Sequence, residues 1–147
     1  MHGMHSSQST RNSAANVVFM PGIFNETMNL LADAREYFYE FGQEDQEVLG
    51  EEELCNIYTS EMSRITLRLS SIMAWIIAQR AVVSGKIPAD VAARNHGLDF
   101  QDICLVDNKV LHGVMPPFVC LLLDRTLELY ERVQRLDSQY KQQFPLH

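Results

Sequence analysis

RITLRLSSIMAWIIAQRAVVSGKI, residues 64–87, is the stretch that decides the fold of this chain. It begins with apolar residues on one side of a predicted helix, and from Ile72 to Ala78 it is apolar on every side. A helix of that kind must be covered on all its faces. The apolar run between Arg68 and Arg80 is far shorter than the roughly 20 residues that a bilayer span needs. The stretch therefore predicts the central helix of a protein assembly without membrane insertion, and it favours a homodimer.

The composition describes a single acidic globular domain. A length of 147 residues fits one domain, and 46% apolar residues are enough for a sizeable core. The formal net charge of −7 argues against nucleic acid and against an anionic membrane as partners, because both select a dense basic face. Three cysteines in apolar segments indicate reduced core thiols. We expect a cytoplasmic protein with no cofactor, and recruitment to a cell pole is left open.

Two segments precede the central stretch. Residues 1–20 are polar and lack apolar periodicity, which predicts a disordered or loosely ordered tail. From Phe24 to Phe41 the apolar residues recur at helical spacing, with Asn25 as a candidate N-cap and Gly42 as a candidate C-cap. Residues 43–50 are then predicted to form a turn.

The central helix is predicted to run from Glu51 to Gly85. One apolar stripe follows the 100° helical step: Leu54, Tyr58, Ile65, Leu69, Ile72, Ile76 and Val83. Such a helix would be about 50 Å long, and the first helix would reach little more than half of that. We therefore expect the unmatched part, from Ile72 to Val83, to meet a second subunit, with Trp75 at the contact. The candidates for dimer or core packing are Leu69, Ile72, Trp75, Ile76 and Val83.

The remainder of the chain predicts a crossover and one more long helix. Residues 88–95 indicate a short helix, and residues 98–113 indicate an irregular segment with another short helix or a small hairpin. A last helix is predicted from Phe118 to about Gln142. The predicted fold is an all-α antiparallel three-helix bundle with a long central helix. It spans residues 21–143, and residues 144–147 form a short C-terminal tail.

Few constellations in the chain suit catalysis. There is no nucleotide-binding glycine motif and no nucleophile elbow. Cys104, His112 and Cys120 can be combined into a metal group, but two core cysteines beside a turn histidine are the favoured interpretation, because zinc ligands are usually tightly paired. We expect neither an enzyme nor a metal site, and a small helical enzyme or metal binder that uses these three residues stays as an alternative.

Two charged clusters are candidates for partner binding. They are the acids Glu44, Asp45 and Glu47 before the central helix, and the arginines Arg64 and Arg68 on it. The acidic cluster is either a solvated loop or a docking patch for a basic surface. The arginines lie one turn apart, and they either pair with acids on another helix or extend buried stems toward solvent.

Three segments resemble the regulator of CtrA degradation family (RcdA-like proteins) of the alphaproteobacteria. They are FNETMNLLADAREYF at residues 24–38, the stretch of residues 64–87, and LYERVQRLD at residues 129–137. In the second segment the matching positions are Arg64, Thr66, Arg68, Ala74, Trp75, Arg80, Ala81 and Gly85. The resemblance covers most of residues 23–138.

This resemblance implies a homodimeric three-helix bundle without enzymatic activity. It implies an adaptor that helps to deliver a cell-cycle master regulator and other cargo to the ClpXP protease, with a response-regulator-like partner and a cyclic-di-GMP effector. The exposed side of LYERVQRLD, chiefly Glu131, Arg132 and Arg135, is then a candidate partner surface. A dimeric helical interaction module with a different regulatory partner and no protease link is the alternative.

Overall fold

A computed structural model describes the backbone of residues 3–144 and the side chains of residues 21–144. Its elements are α1 (Gly3–Leu49), α2 (Glu52–Val83), α3 (Ala89–Asn95), α4 (Gln101–Cys104), a 3₁₀ turn (Lys109–Gly113) and α5 (Pro117–Gln142). No strand occurs within residues 3–144. The described chain is therefore all-helical, and the hairpin alternative for the crossover is wrong.

The first helix ends later than the sequence predicts. Residues 43–49 continue α1 rather than forming a turn, and the chain leaves the helix at Gly50, whose φ is +71°. The Gly50 amide donates to the Gln46 carbonyl at 3.0 Å, as at a glycine-terminated helix end. Gly42 is not a cap. It is buried inside α1, before the helix ends at Leu49, and a Cβ there would make only an ordinary contact with the Tyr58 hydroxyl at 4.0 Å.

The predicted overhang of the central helix is also wrong. α1 has 47 residues and α2 has 32, so α1 is the longer element. The predicted tail at residues 1–20 falls where no side chain is described, although the backbone from Gly3 belongs to α1. The domain boundary at residue 21 therefore stays a prediction, as does the short tail from residue 144.

The ends of the other long helices agree with the sequence. α2 ends at Val83, and Gly85 follows with a φ of +78°. α5 begins with Pro117 in its first turn and ends at Gln142. Between them, α3, α4 and the 3₁₀ turn form the irregular crossover.

The core lies where α1, α2 and α5 meet, since each of these helices contacts the other two. α2 supplies its centre with Tyr58, Ile65, Leu69, Ile72 and Ile76, none of which has exposed surface. The helix is nevertheless not covered all round, because Ile77 is 61% exposed. Among the described residues, no helix has both the length and the apolar character that crossing a bilayer requires.

Candidate protein-interaction surface

A groove between α1 and α5 brings together part of the predicted partner surface. Its walls are Gly22, Ile23 and Glu26 of α1 and Arg132, Arg135 and Leu136 of α5. The groove has a volume of about 450 Å³. Arg132 forms an ion pair with Glu26 across it, so this contact joins the two helices at the groove. We call this feature the α1/α5 groove.

Arg135 gives the α1/α5 groove its binding chemistry. Its side chain is exposed, and it forms no ion pair with any described residue. Ile23 and Leu136 place apolar surface beside this guanidinium. A planar guanidinium binds carboxylates through two parallel hydrogen bonds, which a partner with an acidic residue next to an apolar one would satisfy. Glu131, the third predicted residue, is half-buried and does not line the groove.

The predicted dimer-or-core set divides sharply. Leu69, Ile72 and Ile76 are fully buried within the single chain, whereas Val83 is 55% exposed. Trp75 is only 5% exposed, and its indole Nε1–H donates to Asp137 Oδ1 at 3.1 Å. The expectation that Trp75 meets a second subunit is therefore wrong. Trp75 instead packs against α5, where the buried Asp137 supplies the acceptor that the indole N–H needs.

Arg68 is not available to a partner. It is 1% exposed, and its guanidinium donates to the carbonyl oxygens of Cys104 (2.8 Å), Val106 (2.8 Å) and Leu123 (3.0 Å) and to Thr126 Oγ1 (3.1 Å). Burial, together with the nearby Arg64, lowers its pKa. Neither sequence alternative for Arg68 holds, since it pairs with no acid among the residues whose side chains are described, and its charged end does not reach solvent. It joins α2 to α5 and to the crossover.

Arg64 extends the same set of contacts toward the surface. Its Nε donates to the Ile103 carbonyl at 3.2 Å, and its guanidinium is hydrogen-bonded to Glu61 on the same helix. The Glu61 side chain is 4% exposed and also accepts a hydrogen bond from Asn108 Nδ2 at 3.2 Å. Arg64 therefore pairs with an acid on its own helix, and its role is to hold the crossover.

The acidic cluster is not a single surface. Asp45 accepts hydrogen bonds from the hydroxyl groups of Tyr37 (2.7 Å) and Tyr58 (2.9 Å), so it links α1 to α2. Burial, followed by the hydrogen bond to Asp45, raises the pKa of both tyrosines. Glu44 and Glu47 are exposed on the last turns of α1. The predicted docking patch therefore loses Asp45 as a free carboxylate.

The alternative metal group is not assembled. Within the part of the chain whose side chains are described, no three His, Cys, Asp or Glu residues lie close enough to hold a metal ion. Cys104 is fully buried at the end of α4, where burial raises its pKa. Cys120 lies in the first turn of α5, and its thiol donates to the carbonyl oxygens of His112 and Met115, both at 3.7 Å.

Sequence reasoning missed three acids that organise these contacts. Arg64 pairs with Glu61, the Trp75 indole donates to Asp137, and Arg132 pairs with Glu26. For two of these acids, the sequence position itself indicates a buried side chain. Glu61 lies between two buried stripe residues at helical spacing, and Asp137 closes the LYERVQRLD segment among apolar neighbours. No sequence pattern indicates the contact of Glu26, because that contact depends on how α1 and α5 are aligned.

Comparison with known proteins identifies the family of this chain. A family described as "Protein of unknown function (DUF1465)" matches residues 11–146. No curated protein and no solved structure matches the chain. Since the family match covers nearly the whole sequence, the chain belongs to the DUF1465 family.

Proposed function

We propose that this protein is a non-enzymatic adaptor that binds a protein partner at the α1/α5 groove. The observation that carries the proposal is the exposed guanidinium of Arg135, which pairs with none of the described residues and lies beside an apolar wall. Arg132 and Arg135 belong to LYERVQRLD, one of the segments that resemble the RcdA-like regulators. The resemblance suggests the adaptor's function, which is delivery of a cell-cycle regulator and other cargo to the ClpXP protease.

The two sides of LYERVQRLD support a division between folding and binding. Leu129, Val133 and Asp137 are buried, so they serve the core. Arg135 is exposed and holds no described residue in place. An exposed side chain that contributes little to packing is free to serve recognition, which is where aromatic residues and arginines concentrate binding energy.

The proposed assembly is a homodimer of antiparallel three-helix bundles. α1, α2 and α5 would form the bundle, since the two-residue connection between α1 and α2 makes those helices antiparallel neighbours. The half-exposed Ile77 and Val83 on α2 are candidates for the dimer contact. Size-exclusion chromatography with light scattering should give twice the monomer mass, and a monomer at micromolar concentration would refute the dimer.

Reconstituted proteolysis is the test of the adaptor function. With ClpXP, the response-regulator-like partner, the cyclic-di-GMP effector and the cargo regulator present, adding this protein should accelerate loss of the cargo. Arg135→Glu should abolish that acceleration, because it puts a carboxylate where the partner's carboxylate would bind. Arg125→Glu is the matched control, an exposed arginine on the same helix that does not line the groove.

Two outcomes would contradict the proposal. Unchanged cargo degradation with all other components active would refute the protease link, and it would favour the dimeric interaction module with another partner. Equal effects of Arg135→Glu and Arg125→Glu would refute the α1/α5 groove as the binding site. Recovery of ClpX and the response-regulator-like protein in an affinity capture would separate the two kinds of regulator.

A further inference from the structure

The crossover between α3 and α5 presents large apolar side chains to solvent. Phe100, Ile103, Val106 and Val110 are 51%, 43%, 37% and 91% exposed. Single exposed apolar residues are normal on a protein surface, but here four occur within eleven consecutive positions. We call these four residues the crossover stripe.

Hydrogen bonds from Arg64 and Arg68 explain why the crossover stripe faces outward. Arg64 binds the Ile103 carbonyl, and Arg68 binds the carbonyls of Cys104 and Val106. The polar backbone of this segment therefore points into the protein, and the neighbouring side chains of Ile103 and Val106 remain outside. The segment is held by hydrogen bonds to guanidinium groups rather than by burial of its own apolar side chains.

The backbone of Phe100, the first residue of the crossover stripe, is conformationally strained. Its φ is +64°, in the left-handed region, and it is the only residue other than glycine with a positive φ in the described chain. This conformation costs about 1–2 kcal/mol for a residue with a Cβ. The Tyr130 hydroxyl holds the preceding residue, donating to the Asp99 carbonyl at 2.6 Å. Strain of this kind persists where surrounding contacts fix it, and it is concentrated at functional sites.

A second groove adjoins the crossover stripe, between α2 and the 3₁₀ turn. It has a volume of about 510 Å³, and its lining includes Ile57, Glu61, Arg64, Val110 and Leu111. Val110 belongs to the stripe and also lines this groove, and Arg64 in the lining binds the Ile103 carbonyl, so the groove adjoins the stripe at these residues. Both hydrogen bonds to Glu61 use Oε1. Its other carboxylate oxygen accepts none from a described residue.

The charge around this surface is acidic. Asp99, Asp102 and Asp107 are interspersed with the stripe residues, and Glu53 lies at the rim of the groove. Lys109 is the only cation in residues 99–110, and it lies 3.9 Å from Asp107. Arg64 is already paired with Glu61. An apolar stripe with an acidic border is complementary to a partner that alternates apolar and basic residues.

We propose that the crossover stripe and its adjoining groove bind a basic, apolar segment of a partner protein. A second copy of this chain is a poor occupant, because a two-fold contact would place the same aspartates against each other. Nucleic acid and anionic lipid are repelled by the same charges. This site lies apart from the α1/α5 groove and has the opposite charge preference, so it goes beyond the proposed function.

Peptide binding tests the proposal with probes of defined chemistry. A fluorescein-labelled peptide of alternating lysine and leucine should raise its fluorescence anisotropy when the full-length protein is added. A peptide with glutamate in place of lysine, and one with serine in place of leucine, should not bind. Because the attraction is partly electrostatic, added salt should weaken the binding.

Two exposed valines provide the matched variants. Val110→Lys should weaken binding of the lysine–leucine peptide about tenfold or more, which corresponds to about 1.4 kcal/mol. Val48→Lys on α1 should leave binding unchanged, since Val48 is 81% exposed and lies outside the crossover. Both valines are largely solvated, so both variants should keep the wild-type circular dichroism and melting temperature.

Several results would overturn the proposal. They are absence of binding, equal binding of the glutamate peptide, or equal effects of the two valine variants. A wild-type dimer that Val110→Lys converts into a monomer would also overturn it, because the surface would then be a contact between copies of the chain. Protection from hydrogen exchange in residues 99–111 on peptide addition would support it.

Discussion

The arginines of α2 and those of α5 differ in what they bind and in how far they are exposed. Arg64 and Arg68 on α2 lie one turn apart, as do Arg132 and Arg135 on α5, and both sets fall within segments that resemble the same family. Arg68 is 1% exposed and holds three backbone carbonyls, whereas Arg135 is exposed and pairs with no described residue. Identical side chains at comparable spacing thus support the fold in one place and offer a binding surface in the other.

What faces each helix accounts for this difference. This part of α2 is opposed by the four-residue α4 and the irregular segment after it, where the carbonyl oxygens at the end of so short a helix need further donors. Arg64 and Arg68 supply these donors at Ile103, Cys104 and Val106. Arg132 and Arg135 border a groove between two long helices, whose backbone groups are already paired within each helix, so an arginine is not needed for that purpose.

Removing Arg68 should give the largest loss of stability. Arg68→Ala leaves buried carbonyl oxygens without donors, and each such group costs about 1–3 kcal/mol, so we expect a total loss of at least about 3 kcal/mol. Urea unfolding followed by Trp75 fluorescence measures it. Arg125→Ala on α5 is the exposed control and should change stability by less than about 0.5 kcal/mol.

The Arg68 prediction has a graded form. Arg68→Lys keeps the positive charge but lacks the planar fork of donors, so its loss should lie between those of the wild type and Arg68→Ala. A loss under about 1 kcal/mol for Arg68→Ala would contradict the role assigned to this guanidinium and remove the distinction between the two arginine sets.

Arg64→Ala should cost about 2 kcal/mol, less than Arg68→Ala because Arg64 is partly exposed. The cost arises largely from Glu61, whose side chain is 4% exposed and would lose its cation. The double variant Glu61→Gln with Arg64→Ala should therefore be more stable than Arg64→Ala alone. A double-mutant cycle in urea checks this, and independent effects of the two substitutions would contradict it.

Alkaline pH should destabilise the protein through Tyr130, whose hydroxyl joins α5 to the crossover at the Asp99 carbonyl. Burial raises the pKa of Tyr130 above its ordinary value of 10.0. The unfolded chain therefore releases this proton first, and the free energy of unfolding falls as pH rises above about 10, by about 1.4 kcal/mol per pH unit for this one proton. Tyr130→Phe should reduce the slope by that amount. Tyr39→Phe should not, because Tyr39 is 93% exposed in the folded protein.

Arg132→Ala should have the smallest effect. The Arg132–Glu26 pair is nearly half exposed on both sides, and such surface pairs contribute less than about 1 kcal/mol. Thermal unfolding at low and high salt measures the contribution, which should vanish at high salt. A loss comparable to that of Arg68→Ala would show that the α1/α5 groove is a structural joint rather than an open surface.

The sequence predicted those features that depend on local chemistry. The end of α2 lies within two residues of the predicted Gly85, and α5 begins one residue before the predicted Phe118. The apolar stripe of α2 was identified by its period, and its central members are buried as expected. Gly42 was misinterpreted as a C-cap, because a glycine inside a helix and a glycine that ends one look the same in sequence.

The remaining errors concern contacts between distant segments. Trp75 was assigned to a dimer contact because the first helix was expected to leave Ile72 to Val83 uncovered, and its actual partner, Asp137, lies 62 positions away in the chain. Arg68 was taken for a surface residue because its acceptors are backbone carbonyls, which no sequence pattern reveals. The α1/α5 groove was half predicted. Its arginines were identified, but Glu26 and Ile23 on the opposite wall depend on the alignment of two helices.

The two-residue connection between α1 and α2 has a consequence for synthesis on the ribosome. These helices are consecutive in the chain, so they can pair as soon as α2 emerges, whereas α5 must return across residues 84–116. At ordinary translation rates, residues 84–142 take roughly 3–12 s to make. During that interval the α5-facing side of the nascent pair is open, with Ile72 and Trp75 uncovered by α5. We therefore expect the newborn chain to be captured by chaperones before α5 emerges and to be released once it docks.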